Sequence, residues 1–335
     1  MTTQATRSAE IVRAPHGQAS GIAIALASAL MFALSGPFAK SLMESGWSPG
    51  AAVLVRVGGA ALVLLIPALL AMRGRWGTFR RSSRIIAVYG IVAIAGAQVG
   101  FFNAVSYMSV GVALLIEYLA PVLLVLLVWA RTRHRPGVLT IVGTILAIIG
   151  MVCVLDITGE QTVHPLGVAW ALLAAVSLAT YFVLGTKISD DLPPLTLAGG
   201  GLVTGTVVVA VCGLLGLLPL QFSVDDVSMF GERMSWVVPM LALALVSTAA
   251  AYVTGIVATA RLGTRLASFV GLSEVVFAVL ASWLLLAELP GPLQLLGGVG
   301  ILAGVILVRA DRYDPTASLP LRNEREVDAS RGVEL

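Results

Sequence analysis

Charge is what this chain has least of. Of its 335 residues only 12% are Asp, Glu, Lys or Arg, about half the share found in a soluble domain. Apolar residues make up 58% and the mean hydropathy is +0.96, so the chain reads as an integral membrane protein. Cysteine is nearly absent. Cys153 and Cys212 both lie inside apolar runs, and neither a disulfide framework nor a thiolate metal site can be read from them. The three histidines, His16, His134 and His164, fall in predicted loops or tails, which leaves no membrane-embedded His cluster to hold a metal. A P-loop pattern is missing, and with it direct drive by ATP; a GxSxG nucleophile elbow is missing too. These absences point away from an enzyme and imply no cofactor. The polar start, MTTQATRSAEIVRAPHG, lacks a signal-peptide pattern with a small-residue cleavage site, so no cleavage is expected.

What is present is a series of long apolar runs: 18–39, 50–72, 85–105, 110–130, 137–155, 166–186, 195–219, 236–258, 266–287 and 293–308. About 20 residues at 1.5 Å each cross the ~30 Å hydrocarbon core, and continuous runs fit helices better than the alternating strands of a barrel. The expected fold is all-α, with ten transmembrane helices. A cytoplasmic N-tail (1–17) precedes them and a flexible cytoplasmic C-tail (309–335) follows.

The pI near 9.1 does not indicate nucleic acid, because the basic residues sit in short loops. With the N-terminus in the cytoplasm, 18 of the 21 Lys and Arg fall on that side. They lie in the N-tail, the 73–84 and 131–135 loops, the Lys187 loop, the Arg261–Arg265 turn and the C-tail. Lys40 and Arg233 face outward, and Arg56 lies within a span. Positive charge gathers on the cytoplasmic side of membrane proteins. The expected location is the cytoplasmic membrane, multi-pass, with both termini inside.

The two halves repeat. A shift of 154 residues brings Ala113 onto Ala267, Trp129 onto Trp283, Pro136 onto Pro290, Gly143 onto Gly297 and Gly150 onto Gly304. A repeat of five spans (18–155, then 166–308) is odd-numbered, so the second copy must enter the bilayer upside down. Inverted repeats build secondary transporters, with the substrate site near the midplane between the copies.

Polar side chains within the spans are few: Arg56, Gln98, Asn103, Tyr107, Glu117 and Tyr118 in the first half. The second half includes Tyr181, Ser247, Thr248, Tyr252, Ser268, Ser273 and Glu274. Glu117 stands about a third of the way into its run, one turn before Pro121. A carboxyl at such depth costs ~2.5–3.5 kcal/mol on insertion scales, so chains keep one mainly for a partner or a task. Arg56 can hold a carboxylate bidentately, on Glu117 or on a substrate; the alternative is snorkelling to the outer headgroups. Lys40 closes the first run and is as well explained by snorkelling as by substrate contact. Glu274 lies three positions past Gly271, the repeat equivalent of Glu117, nearly one turn away, so the two carboxyls can face one cavity.

Three stretches resemble a known family: AKSL (39–42) followed by Arg56 in the next span, FFNAVSYMSVGVALLIEYLAPV (101–122), and STAAAYVTGIVATARLGTRLASFVGLSEVVFAVLAS (247–282). They resemble the EamA family of the drug/metabolite transporter superfamily, and within it the bacterial threonine/homoserine exporters. The likeness covers both repeats, roughly 18–308. It implies two inverted five-helix repeats, cytoplasmic termini and secondary efflux. The second repeat of the family often reads Glu-Pro where this chain has Glu274-Val275, which leaves a helix break there unexpected.

The resulting expectation is proton-driven, alternating-access export of small polar metabolites, amino acids foremost. Its substrate-binding candidates are Arg56, Gln98, Asn103, Tyr107, Glu117, Tyr118, Tyr252 and Glu274. Glu117 and Glu274 are the candidates for proton coupling, with Glu117 alternating between protonated and ionised forms. The partners are substrate, protons and the bilayer, with no nucleic acid and no metal. The rivals are a drug or nucleotide-sugar carrier of the same superfamily, which would have a more aromatic or more basic lining, and a non-transporting receptor or scaffold. The latter leaves the repeat and the midplane carboxyls without a role.

Overall fold

A computed structural model describes residues 15–132, 137–155, 164–185, 192–262, 267, 270–288 and 290–310. Most of the N-tail, the Arg133–Arg135 part of its loop, the Lys187 loop, the turn carrying Arg265, Ser268 and the C-tail beyond residue 310 lie outside the described residues.

The chain runs α1 (Pro15–Ala33), α2 (Ser35–Glu44), α3 (Pro49–Ala71) and α4 (Trp76–Val88). A π-helical stretch (Tyr89–Gly96) leads into α5 (Ala97–Val105), α6 (Val110–Glu117) and α7 (Ala120–Thr132). Then come α8 (Val138–Leu155), α9 (Pro165–Gly185), α10 (Pro194–Leu214) and a hairpin of β1 (Val227–Met229) with β2 (Glu232–Met234). The chain continues through α11 (Val237–Leu241), a second π stretch (Ala242–Ala250), α12 (Ala251–Leu262), α13 (Ser273–Leu286) and α14 (Pro292–Ala310). Among the described residues, six helical segments are long and apolar enough to cross a bilayer: Ala19–Glu44, Pro49–Ala71, Trp76–Val105, Val110–Leu127, Pro194–Leu214 and Val237–Leu262. Four shorter apolar helices accompany them, in α8, α9, α13 and α14. The protein is therefore an all-α membrane protein that carries one small hairpin in a polar loop.

Two boundaries differ from the sequence expectation. The first run continues past Lys40 to Glu44, so Lys40 is inside a helix rather than at its end. The helix of the third run, α4, begins at Trp76, not 85, and takes Arg80, Arg81 and Arg84 into its first turns. Hydropathy marks where apolar residues begin, whereas a helix also runs on through an exposed basic segment.

Local chemistry explains the starts and breaks. Ser48 caps α3: its hydroxyl accepts from Ala51 N at 3.2 Å and from Gln221 N at 2.9 Å, and donates to Pro219 O at 2.6 Å. One side chain thus fixes a helix start, with Pro49 at its first position, and anchors the loop that leads to the hairpin. Ser109 caps α6 in the same way. Pro121 has no N–H for the carbonyl of Glu117, and the helix is interrupted at Tyr118–Leu119. The second half breaks as well, at Leu272, the position 154 residues after Tyr118. It does so without a proline: Ser273 Oγ donates to Val270 O at 2.7 Å and Val275 N to Leu272 O at 3.2 Å. The break that the Glu274-Val275 sequence left unexpected is present, and a side-chain hydroxyl supports it.

Among the described residues, α8 and α14 pack backbone against backbone. A Cβ at Gly143 would lie 2.5 Å from Gly304 O, and one at Gly150 would lie 2.6 Å from Gly297 O. In the other direction, a Cβ at Gly297 would lie 2.5 Å from Gly150 O, and one at Gly304 would meet Gly143 O. Within a bilayer such small-residue seams replace the hydrophobic effect as the source of helix association. We predict that Gly150→Ala lowers stability by about 1–3 kcal/mol through overpacking. A fall in the melting temperature of detergent-purified protein checks this; an unchanged melting temperature contradicts the contact.

Among the described residues, contacts near the helix ends fall into two sets. At one end Trp47 Nε1 donates to Ser223 O at 2.7 Å, and Phe230 N at the hairpin tip donates to Leu285 O at 3.1 Å. That tip needs positive φ at both turn residues, 58° at Phe230 and 77° at Gly231, the geometry of a tight type I′ hairpin. At the other end Arg261 Nη1 donates to Ser20 Oγ at 3.1 Å, and Gly200 packs on Ile86. The charge asymmetry predicts the hairpin end outside. In a background without Cys153 and Cys212, Asp226→Cys is expected to react with an impermeant maleimide on intact cells, and Arg80→Cys only after permeabilisation. The reverse pattern overturns the orientation.

Candidate functional site

Residues at the breaks near Tyr118–Leu119 and Leu272, together with Ala93 of the first π stretch, line a cavity of about 250 Å³. Its polar lining includes Arg56 from α3, Gln98 from α5, Glu117 and Tyr118 at the α6 break, Tyr252 from α12 and Glu274 from α13. These are six of the eight binding candidates named from the sequence. Asn103 and Tyr107 do not line it. Asn103 Nδ2 donates to Val99 O at 2.7 Å on its own helix, and Tyr107 is 41% exposed, stacked on His164 with centroids 5.1 Å apart.

Arg56 is 3% exposed and does not snorkel. Its Nε donates to Thr248 Oγ1 at 3.0 Å, and its guanidinium carbon lies 5.3 Å from the centroid of Phe102, a cation–π contact. Among the described residues the ion pair is Lys40–Glu288, so Arg56 is directly paired with neither Glu117 nor Glu274. The Tyr118 hydroxyl donates to Glu274 Oε2 at 2.8 Å. Both cross-links, Arg56 to Thr248 and Tyr118 to Glu274, join the first half of the chain to the second. Gln98 Oε1 is buried with no hydrogen-bond partner among the described residues. A buried acceptor left open in a cavity is costly unless something fills it.

Some lining residues escaped the sequence reading. Phe32 and Ser35 flank the α1–α2 break at Leu34 and face the cavity; Pro37, three residues on, was the available signal. Thr248 was named only as a polar residue in a span. Its link to Arg56 depends on a π-helical path, for which the sequence holds no signature. Lys40 has the partner that the sequence did not reveal, Glu288, two residues past the end of α13.

The profile of the EamA-like transporter family matches residues 19–156 and again residues 165–310. The chain belongs to that family, a family of membrane transporters. It is 27% identical over 271 residues to the Threonine/homoserine exporter RhtA of Escherichia coli (strain K12), covering 79% of this chain and 83% of the relative. It is 25% identical over 263 residues to an uncharacterized transporter of Archaeoglobus fulgidus, covering 78% and 88%. A solved protein crystal structure shares the fold with a TM-score of 0.57 at 19% identity, covering 86% of this chain and 96% of the other.

Proposed function

We propose that this transporter is a secondary exporter of small polar metabolites, amino acids foremost, which exchanges them for protons by alternating access of two inverted five-helix repeats. The carrying observation is the cavity: one buried guanidinium and two carboxyls in a single space, with the guanidinium paired to neither. A zwitterion complements that set. Arg56 takes the substrate carboxylate as a bidentate fork. Glu117 and Glu274 receive the ammonium, or a proton in its place. Proton and substrate then compete for one site, which is the condition for exchange.

The packing supports the inverted arrangement. Under the 154-residue shift, Gly143 corresponds to Gly297 and Gly150 to Gly304, and each packs on the counterpart of the other. That reciprocal contact is what a pseudo-two-fold axis produces. The π stretches also correspond, since the same shift carries 89–96 onto 243–250. The cavity is smaller than the ~300–1,000 Å³ of drug-sized ligand pockets, which favours a metabolite over a drug or a nucleotide sugar. The name of the Escherichia coli relative points the same way. One observation favours the rival carrier: Phe32, Phe101 and Tyr252 add aromatic surface to the lining, which suits a ligand with an apolar part.

Counterflow in proteoliposomes tests the reading. Loaded with unlabelled L-threonine, they are expected to accumulate labelled L-threonine transiently, in competition with other amino acids. Inhibition by a lipophilic cation and by no amino acid contradicts the proposal in favour of a drug carrier. Absence of any counterflow contradicts transport of this class altogether.

A further inference from the structure

Thr248 makes a hydrogen bond unlike those of its neighbours. Thr180, Thr204, Thr206, Thr254 and Thr259 each donate to the carbonyl four residues back, the usual habit of threonine in a helix. Thr248 Oγ1 instead donates to Leu243 O, five residues back, at 2.8 Å. It can do so because it lies in the π stretch Ala242–Ala250, where the wider turn brings the i−5 carbonyl into reach. A hydroxyl has one proton. With that proton given to Leu243, the oxygen presents only lone pairs to its surroundings, and one of them receives Arg56 Nε–H at 3.0 Å. Thr248 is 1% exposed and Arg56 3%, so the bond between them is buried.

This arrangement decides which edge of the guanidinium is on offer. A carboxylate can grip arginine side-on, through Nε and one terminal nitrogen, or end-on, through both terminal nitrogens. Thr248 occupies Nε, Phe102 lies 5.3 Å from the guanidinium carbon, and the end-on edge is the one that remains for a ligand in the cavity that Arg56 lines. The helix carrying Arg56 is held against the same stretch, since a Cβ at Gly59 would lie 2.6 Å from Ala244 Cβ. The device is one-sided. The residue 154 positions earlier, in the first π stretch, is Ile94, which is buried and has no hydroxyl.

From this geometry we infer that Thr248 is a positioning residue: it locks Arg56 so that its two terminal nitrogens form the fork for a substrate carboxylate. The inference rests on the reading that Arg56 binds that carboxylate, and it adds what sets the specificity of the fork.

The test compares wild type, Thr248→Ser, Thr248→Val and Arg56→Ala in proteoliposomes, with matched amounts of folded protein. The probes are L-threonine and L-threoninamide, which lacks the carboxylate. Thr248→Val keeps the shape and loses the hydroxyl; Thr248→Ser keeps the hydroxyl. Thr248→Val is expected to raise the KM for L-threonine about tenfold, the loss of one charge-assisted hydrogen bond, with the maximal rate within about twofold of wild type. Thr248→Ser is expected to restore the wild-type KM, and neither variant is expected to change inhibition by L-threoninamide. An unchanged KM in Thr248→Val, while Arg56→Ala raises it, overturns the positioning role alone. A fall in maximal rate shared by Val and Ser variants, with KM unchanged, also overturns it, because that outcome marks a structural role. An unchanged KM in Arg56→Ala removes the underlying reading as well.

Discussion

Arg56→Lys is expected to transport little better than Arg56→Ala. Lysine supplies the charge, but an ammonium is a point donor that cannot form two parallel hydrogen bonds to one carboxylate. In this protein the loss is greater, because Arg56 is held by Thr248 at Nε and by Phe102, 5.3 Å from its guanidinium carbon. An ammonium offers no planar group to Phe102 and cannot meet Thr248 and the substrate in the same geometry. The expected change is a rise in KM for L-threonine of about 10- to 100-fold in both variants, the worth of a hydrogen bond to a charged group. Counterflow at matched protein levels measures it. Wild-type KM in the Lys variant shows that charge alone suffices and contradicts the fork.

Glu117→Gln is expected to insert and fold, yet to lose proton-driven export. Glutamine keeps the size of the side chain and two polar atoms, so the α6 break and its lining are preserved, and insertion becomes less costly. What it lacks is the ability to ionise. A pH jump across the proteoliposome membrane is therefore expected to drive no transport. Exchange of substrate for substrate is expected to persist, because that half-reaction needs no proton to leave. Glu274→Gln should be milder: the amide oxygen still accepts from the Tyr118 hydroxyl, which holds Glu274 at 2.8 Å. Wild-type pH-driven rates in Glu117→Gln return that residue to a structural role.

The sequence revealed an all-α membrane protein because a bilayer imposes a simple rule on it. Length of apolar run is a one-dimensional quantity, and it can be read without knowing any contact. Glycine pairs such as Gly143–Gly150 and Gly297–Gly304 stood out in the same way, and the structure packs the two pairs against each other. The site was only half legible. Arg56, Glu117 and Glu274 stood out because charge within an apolar run is conspicuous, and the structure brings all three to one cavity. Asn103 and Tyr107 looked alike on that criterion and lie elsewhere, since a polar side chain can be satisfied by its own helix or at an exposed end. Thr248 and the α1–α2 break depend on backbone path. A π turn adds one residue without a compositional signature, and Ser273 supports a break at Leu272 that proline makes at Pro121 in the other half. The partner of Lys40 is 248 residues away, beyond any local pattern.

The central claim is that substrate and proton move in opposite directions through this one cavity. The direct measurement follows the internal pH of proteoliposomes holding a trapped dye, as L-threonine enters down its own gradient. The account predicts that wild-type protein makes the lumen more alkaline as labelled substrate accumulates, and that the pH change vanishes in Glu117→Gln while substrate exchange continues. Accumulation of labelled substrate by the wild type with no movement of internal pH contradicts it.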